Sequence, residues 1–251
     1  MADRFLELHQ IKKSFGRQTI LNNLNLTVNR GDAVVIIGKS GEGKSVLLKH
    51  LIKLITPDEG EVRIEGENIL QMDFNELSIV RRRFGMLFQS AALFDSMTVA
   101  ENVGLGLKES RTYSKDVIDN IVMEKLSMVN LADAADKMPS ELSGGMRKRA
   151  GLARAIAHSP EIMLYDEPTT GLDPITADMI NNLIVNLNDR LNVTSVTVTH
   201  DMKSAFKIAD RIVMLYQGKV AFDGSVEEVK NTTNAMVKQF ITGSSEGPIT
   251  E

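Results

Sequence analysis

The feature that most constrains the fold is a glycine-rich loop placed between an apolar run and a segment of helical character. Ala33–Ile37 is a short continuous apolar run, which is typical of a strand covered on both faces. The loop Gly38–Ser45 follows at once and fits the pattern G-x-x-x-x-G-K-[ST] in full. Val46–Leu54 then carries apolar residues at helical spacing. Strand, loop and helix in this order form the context that a phosphate-binding loop requires.

The loop residues suit a nucleoside triphosphate bound together with Mg²⁺. Glycines let successive main-chain N–H groups converge on phosphates, and the following helix offers its positive N-terminal end to the same anion. We expect Lys44 to neutralise the β- and γ-phosphates and Ser45 to coordinate Mg²⁺. The alternative is a chance match in a turn, which should occur in very roughly one chain in a hundred of this size. The residues predicted to contact the nucleotide here are Gly38, Lys39, Ser40, Gly41, Glu42, Gly43, Lys44, Ser45 and Val46.

Two neighbouring carboxylates end a later apolar run. Asp166 and Glu167 follow Ile162–Tyr165 and precede Pro168. The proline favours an extended backbone at Glu167, so the two side chains should point in different directions. We expect Asp166 to bind Mg²⁺ and Glu167 to act as the general base on the attacking water. The alternative is a solvated acidic pair that caps the next helix.

Two more polar residues stand directly after apolar runs. Gln89 follows Met86–Phe88, and His200 follows Val196–Thr199. Taken singly, each is better explained as a polar residue that caps a strand than as a catalytic group.

The pattern along the chain predicts an α/β fold. Apolar runs alternate with helical segments, which indicates a largely parallel sheet covered on both faces. The region from Thr98 to Asn130 favours two helices, at 99–107 and 115–128, and forms an insertion on one side of the sheet. A further helix should begin beyond Ser143.

Composition excludes several classes of protein. The net charge of −4 gives no electrostatic reason to expect nucleic acid as a partner. The chain has no cysteine, which excludes disulfides and Cys-based metal sites. The most apolar stretch, Ala33–Ile37, is far shorter than the about 20 residues that a spanning helix needs. We therefore expect any transport role to be exerted on a separate membrane subunit.

Ser143-Gly144-Gly145, within Glu-Leu-Ser-Gly-Gly-Met, lies between the phosphate-binding loop and the acidic pair. This order of motifs resembles that of ATP-binding cassette (ABC) ATPases over almost the whole chain. The resemblance implies a P-loop NTPase (RecA-like) α/β core with an antiparallel β subdomain and an inserted α-helical subdomain. It also implies one domain over 1–251, with a nucleotide-binding core at 1–89 and 160–230, a helical subdomain at 90–159 and a C-terminal tail at 231–251.

The resemblance also assigns roles that spacing alone does not. Gln89 is similar to the glutamine that touches Mg²⁺ and senses the membrane partner, and His200 to the histidine that contacts the γ-phosphate. The signature Ser143, Gly144 and Gly145 would contact the γ-phosphate in the opposite subunit of a two-fold dimer. Asp173, with Leu172, resembles the D-loop that passes between the two sites. Phe15, in Lys-Ser-Phe-Gly, matches the aromatic residue that stacks on adenine, although a core position near a hairpin is its alternative.

A finer resemblance is to the ATPase subunit of Mla-type phospholipid transporters, which work with Mce proteins in double-membraned bacteria. It rests on Met138–Met146, on Asp173–Thr176, and on tail segments at 237–240 and 246–248. Met146 stands where most ABC ATPases have Gln. The resemblance implies a peripheral subunit on the cytoplasmic face of the inner membrane. Its partners would be a permease, an Mce-type lipid-binding protein and a small cytoplasmic accessory subunit, with no nucleic acid.

Other functions for such a cassette stay open on the sequence. One is an ABC ATPase of cofactor assembly, and another is the ATPase of a different small-solute importer. A binding module without hydrolysis is disfavoured, because Glu167 and His200 are both in place. The apolar segment Ser90–Phe94, called the docking segment below, should lie near the surface and receive a helix of the permease. The alternative is that Leu93 and Phe94 pack the helical insertion onto the core.

Overall fold

The computed structural model describes residues 3–249, and the chain divides into two compact units. One unit comprises Met1–Leu77 with Val196–Glu251, and the other comprises Ser78–Ser195. The subdivision expected from sequence, with limits at 90 and 159, stays a prediction. The outermost residues of its ranges, 1–2 and 250–251, lie outside the described part of the chain.

The described residues form ten strands, nine α-helices and two short 3₁₀ helices, the last two at Ala132–Ala134 and Pro139–Glu141. The strands are β1 Arg4–Phe15, β2 Gln18–Asn29, β3 Ala33–Ile37, β4 Glu59–Ile64, β5 Glu67–Asn68, β6 Phe84–Leu87, β7 Ile162–Asp166, β8 Thr194–Val198, β9 Arg211–Tyr216 and β10 Lys219–Ser225. The helices are α1 Lys44–Leu51, α2 Phe74–Arg82, α3 Val99–Glu109, α4 Lys115–Met128, α5 Gly144–Ala155, α6 Pro174–Leu191, α7 Met202–Ile208, α8 Val226–Lys230 and α9 Ala235–Thr242. None of these helices is both long and apolar enough to cross a bilayer.

The first unit contains an antiparallel sheet and a second group of strands around β3. The antiparallel sheet has the order β2-β1-β4-β5, and Leu6 pairs with both Val28 and Ile64. In the second group the order is β10-β9-β3-β8, with β3 parallel to β9. Val34–Ile37 is completely buried, as the continuous apolar run predicted. The sheet order therefore places the phosphate-binding loop directly after a central strand.

The second unit pairs β6 with β7 in parallel and carries helices α3 to α6. Both helices predicted for the inserted region are present as α3 and α4. Helix α3 begins with a capping box, in which Thr98 accepts from the Glu101 N–H and Glu101 accepts from the Thr98 N–H. The expected α/β fold, with an antiparallel β part and a helical part, is confirmed.

A buried hydroxyl in β7 provides a test of this packing. Tyr165 is fully buried and donates from its hydroxyl to Asn188 Oδ1 at 2.8 Å, and Asn188 Nδ2 donates to Ser195 Oγ at 2.9 Å. Burial raises the pKa of Tyr165 above its usual range. Tyr165→Phe should lower the free energy of unfolding by about 1–3 kcal/mol, because Asn188 loses a buried donor. Urea titration measures this loss.

The matched control is Tyr113→Phe. Tyr113 is 45% exposed, so water can bond to any group that loses the hydroxyl as a partner. This variant should stay within about 0.5 kcal/mol of the wild type. Equal stability losses in the two variants would contradict the role given to the Tyr165 hydroxyl.

Candidate functional site

The phosphate-binding loop adopts a conformation that depends on glycine at two positions. Gly38 has a φ of 154° and Gly43 a φ of 88°, both in the region that L side chains rarely adopt. A Cβ on Gly38 would lie 2.7 Å from the Leu215 carbonyl oxygen, and one on Gly43 would lie 2.7 Å from the Ile20 side chain. The loop therefore packs against β9 and β2 at distances that only glycine allows.

Lys44 and the N-terminus of α1 provide positive charge at the end of this loop. The Lys44 ammonium donates to the carbonyl oxygens of Gly38 at 2.8 Å and Lys39 at 2.9 Å, so the loop curls around it. Gly43 is the N-cap of α1, and within the described residues no side chain caps this helix. Helix α1 has eight residues and directs the positive end of its dipole at the loop, where an anion would be stabilised. The loop thus fits a polyphosphate.

Phe15 ends β1 in the same unit and is 48% exposed. The Lys13 ammonium lies 5.4 Å from the ring centroid and bonds to Asp58 Oδ1 at 2.8 Å. An aromatic side chain this exposed does not serve the core, so the core alternative for Phe15 is wrong. His200 follows β8 and is exposed, as expected from its position after an apolar run.

The acidic pair lies at the end of β7 in the second unit. Asp166 is 5% exposed and Glu167 is 8% exposed. The next helix, α6, is capped by Asp173, whose carboxylate accepts from the N–H groups of Ile175 and Thr176 at 3.0 Å. Burial and this cap together exclude a solvated pair that caps α6.

The backbone predicted for Glu167 is wrong. Its φ is 48°, in the left-handed region, although Pro168 favours extended geometry. A turn accounts for this, because the Thr170 N–H donates to the Glu167 carbonyl oxygen at 3.3 Å and the Thr170 hydroxyl donates to Glu167 Oε2 at 3.0 Å. Left-handed geometry costs a residue with a side chain about 1–3 kcal/mol, and such strain concentrates at functional sites.

A buried lysine joins the segments that carry Gln89 and Glu167. The Lys148 ammonium donates to the Gln89 carbonyl oxygen at 2.6 Å and to the Glu167 carbonyl oxygen at 3.0 Å. Burial lowers the pKa of Lys148 to about 8, while the charges of Asp166 and Glu167 act in the opposite direction. Sequence reasoning missed this residue, because a basic run such as Arg147-Lys148-Arg149 usually forms a solvated face.

The signature residues begin helix α5 and contact the start of α6. Ser143 is the N-cap, and its hydroxyl accepts from the Met146 N–H at 3.3 Å. A Cβ on Gly145 would lie 2.5 Å from the Thr176 side chain, and one on Gly144 would lie 3.1 Å from Leu172. The first turns of α5 and α6 thus approach so closely that glycine is favoured at both positions. This approach brings the signature next to the segment that carries Asp173.

Each unit holds its own share of the predicted site residues. The first contains Phe15, the loop 38–46 and His200. The second brings Gln89 and Glu167 together through Lys148, and the signature together with Leu172 and Thr176.

Comparison with known proteins agrees with this set of motifs. The model of the family described as ABC transporter matches residues 21–170. The intermembrane phospholipid transport system ATP-binding protein MlaF of Haemophilus influenzae is 41% identical over 249 residues, which cover 99% of this chain and 94% of that protein. Protein TRIGALACTOSYLDIACYLGLYCEROL 3, chloroplastic, of Arabidopsis thaliana is 40% identical over 264 residues, which cover 99% of this chain and 76% of that protein.

A solved structure extends the likeness to three dimensions. The ATP-binding cassette MJ0796, a dimer in a post-hydrolysis state bound to ADP and Pi, matches with a TM-score of 0.81 and 35% identity. The match covers 88% of this chain and 98% of that one. The chain therefore belongs to the ABC transporter family, as an ATP-binding ATPase subunit.

Proposed function

We propose that this chain is the ATP-hydrolysing motor of an ABC transporter that moves phospholipid between membranes. The observation that carries the proposal is the likeness to phospholipid-transport cassettes over nearly the whole length of both proteins. The two alternatives, cofactor assembly and import of another small solute, have no comparable support. The motor acts on the cytoplasmic face of the inner membrane as a peripheral subunit.

ATP is bound through its phosphates and its base. The N–H groups of residues 38–46 surround the phosphates, and Lys44 neutralises part of their charge. Phe15, which is 48% exposed, stacks its ring on adenine. Curling of the loop around the Lys44 ammonium supports this assignment.

The residues assigned to Mg²⁺ are Ser45, Gln89 and Asp166. A hydroxyl, an amide oxygen and a carboxylate are the hard oxygen ligands that Mg²⁺ prefers, so the donor set fits the ion. When bound, the ion neutralises charge that develops on the phosphates. Asp166 supplies the one carboxylate of the set. Because a buried carboxylate is unfavourable without a partner of opposite charge, its burial suits a bound cation.

Glu167 and His200 carry the hydrolytic step, with Gln89 helping to orient the reactants. The Glu167 carboxylate accepts a proton from the attacking water and orients it towards the γ-phosphate. His200 contacts the γ-phosphate and stabilises the charge there. The strained backbone and the Thr170 bond hold Glu167 in one orientation, as a base that positions water requires.

A two-fold dimer completes each site with the partner subunit's signature. Ser143, Gly144 and Asp173 lie at the surface that meets the second copy, and the buried Gly145 lies directly behind them. Ile175 and Met179, one turn apart on α6 directly after Asp173, are 71% and 63% exposed. Exposed apolar side chains at this spacing favour coverage by another protein surface.

A permease helix docks on an apolar groove in the second unit. The groove has a volume of about 580 Å³ and is lined by Phe84, Met86, Phe88, Ala92, Phe94 and Leu105, among others. Phe94 of the docking segment is 51% exposed, whereas Leu93 is only half-buried and Ala91 is buried. Asn102 holds Phe94 through both its N–H and its carbonyl oxygen, at 2.7 and 3.1 Å. We also assign an Mce-type protein and a small accessory subunit to the complex.

Phe94→Asp tests the docking surface. Because Phe94 already faces solvent, the variant should fold and bind nucleotide normally, whereas a charge in the apolar groove should weaken permease binding by roughly 30-fold or more. Co-purification of the tagged chain with membrane proteins measures the loss. Phe74→Asp is the matched control, since Phe74 is 78% exposed and lies at the start of α2, where an acidic residue is tolerated. Normal co-purification of Phe94→Asp would refute the docking surface.

The proposed function is tested by purifying the tagged chain from detergent-solubilised membranes. Bound proteins and lipids are identified by mass spectrometry. The complex is then reconstituted with vesicles that contain fluorescent phospholipid, and transfer of that lipid to other vesicles is measured. We expect a permease to co-purify and ATP to drive phospholipid transfer, with none by Lys44→Ala. A chain that binds only cofactor-assembly proteins, or a complex whose ATPase moves no phospholipid, would contradict the proposal.

A further inference from the structure

Helix α5 directs one buried cation towards the two segments that carry Gln89 and Glu167. Lys148 is 4% exposed and lies one turn after the first residue of the helix, Gly144. Its ammonium donates to the carbonyl oxygens of Gln89 and Glu167, at 2.6 and 3.0 Å. A single side chain therefore joins two segments that are far apart in the chain.

A simple packing role does not require a cation at this position. Burial of an ammonium is unfavourable unless hydrogen bonds and opposite charges replace its hydration. Here two main-chain carbonyls accept its hydrogen bonds, and the charges of Asp166 and Glu167 favour the charged form. A methionine would fill similar space without desolvating a charge. What Lys148 adds is the connection between the two carbonyls.

The Glu167 carbonyl belongs to the residue whose carboxylate we assign to the attacking water. Because the main chain has only two soft dihedrals per residue, a restrained carbonyl restricts the direction of the side chain. Thr170 restrains the other end, since its hydroxyl donates to Glu167 Oε2 at 3.0 Å. Loss of the Lys148 bond would leave the strained backbone of Glu167 with one restraint fewer.

The same helix also holds the docking segment. Arg154 donates from Nη1 to the Ala92 carbonyl oxygen at 2.6 Å and from Nη2 to the Ala91 carbonyl oxygen at 2.8 Å. Ala91 and Ala92 have φ values of 62° and 48°, a left-handed pair that persists only where surrounding contacts enforce it. Helix α5 and residues 89–92 thus form one hydrogen-bonded body, to which Lys148 attaches Glu167.

We propose that Lys148 is a positioning residue for ATP hydrolysis: its ammonium ties the carbonyl of Gln89 to that of Glu167, so that the docking segment and the hydrolytic carboxylate shift together. A permease helix that engages the docking segment then changes the position of Glu167 relative to the attacking water. The inference deepens the proposed function and rests on it, because Glu167 and the docking segment take their roles from there.

The test replaces Lys148 with Met, which keeps the chain length and removes the donors. We expect kcat for ATP hydrolysis to fall by about tenfold or more, while the dissociation constant for ADP changes by less than about threefold. Lys125→Met is the matched control, since Lys125 in α4 is 6% exposed and its ammonium bonds to Glu124 at 2.8 Å. The control should keep its kcat. Lys148→Arg retains donors and should recover part of the lost rate.

Wild-type kcat in Lys148→Met would overturn the proposal, and so would an equal loss in Lys125→Met. If Lys148→Met does not fold, amide hydrogen exchange compares Lys148→Gln with the wild type. Exchange should accelerate at both Ala91 and Thr170, whose N–H groups donate to the Phe88 and Glu167 carbonyl oxygens at 2.8 and 3.3 Å. Faster exchange at only one of these two N–H groups would contradict the proposal that Lys148 links the two segments. A wild-type chain that binds ATP without hydrolysing it would instead count against the proposed function.

Discussion

Glu167→Gln should bind ATP with near-normal affinity and lose about 10²–10⁴-fold in turnover, the usual effect of removing a general base. The amide keeps the size of the side chain and still accepts the Thr170 hydroxyl bond, so the turn at residue 167 should survive. It accepts a proton from water far more weakly than a carboxylate does. Steady-state phosphate release, compared with binding of a fluorescent ATP analogue, measures the two effects separately.

Lys44→Ala is the contrasting variant. It removes the cation around which the loop curls and should weaken nucleotide binding itself, so that the two variants fail at different steps. Asp189→Asn provides a further control, as an acid-to-amide change on α6 at a residue to which we assign no role in the site. Near-normal hydrolysis by Glu167→Gln would remove Glu167 from the mechanism, and loss of ATP binding by the same variant would make its role structural.

Most of the phosphate-binding loop and the elements beside it can be predicted from sequence, because their signals are local. A continuous apolar run predicts the buried strand Ala33–Ile37, and the loop pattern predicts the turn and the helix start. The ends of apolar runs likewise mark Gln89 and Asp166 in the second unit, and His200 in the first, as polar residues at or just after the end of a strand. These inferences need only a few consecutive residues.

Helix α6 also has a local signal in the sequence. Asp173 followed by Pro174 is an N-cap with proline at the first helical position, and Ile180, Ile184 and Leu187 continue at helical spacing. Lys148 and Glu167 are different, because tertiary contacts decide them. The residues around 148 do not show that the ammonium of Lys148 bonds to two carbonyl oxygens distant in the chain. The backbone of Glu167 is left-handed, although Pro168 favours an extended conformation there.

The proposed two-fold dimer is the basis of the prediction with the second large effect. With ATP bound, Glu167→Gln should form a stable two-fold dimer, because trapped nucleotide links the phosphate-binding loop of one subunit to the signature of the other. Adding Ser143→Arg should return the protein to a monomer, with the apparent dimer dissociation constant raised by at least about tenfold. The arginine removes the N-cap hydroxyl and places a bulky charge at the start of α5, where the partner's nucleotide must approach. Light scattering after size exclusion measures the mass.

The matched control for this substitution is Ser127→Arg in α4, at an exposed serine outside the signature, which should leave the ATP-bound dimer intact. The monomeric double variant must still bind ATP, because its own phosphate-binding loop is unchanged. Mixing Lys44→Ala with Ser143→Arg subunits adds a second measurement: each heterodimer has one intact composite site and one site damaged twice, so about a quarter of the wild-type sites return at equal mixing. A dimer that persists with Ser143→Arg, or a Glu167→Gln protein that stays monomeric with ATP and its membrane partner, would show that the signature of one subunit does not complete the site of the other.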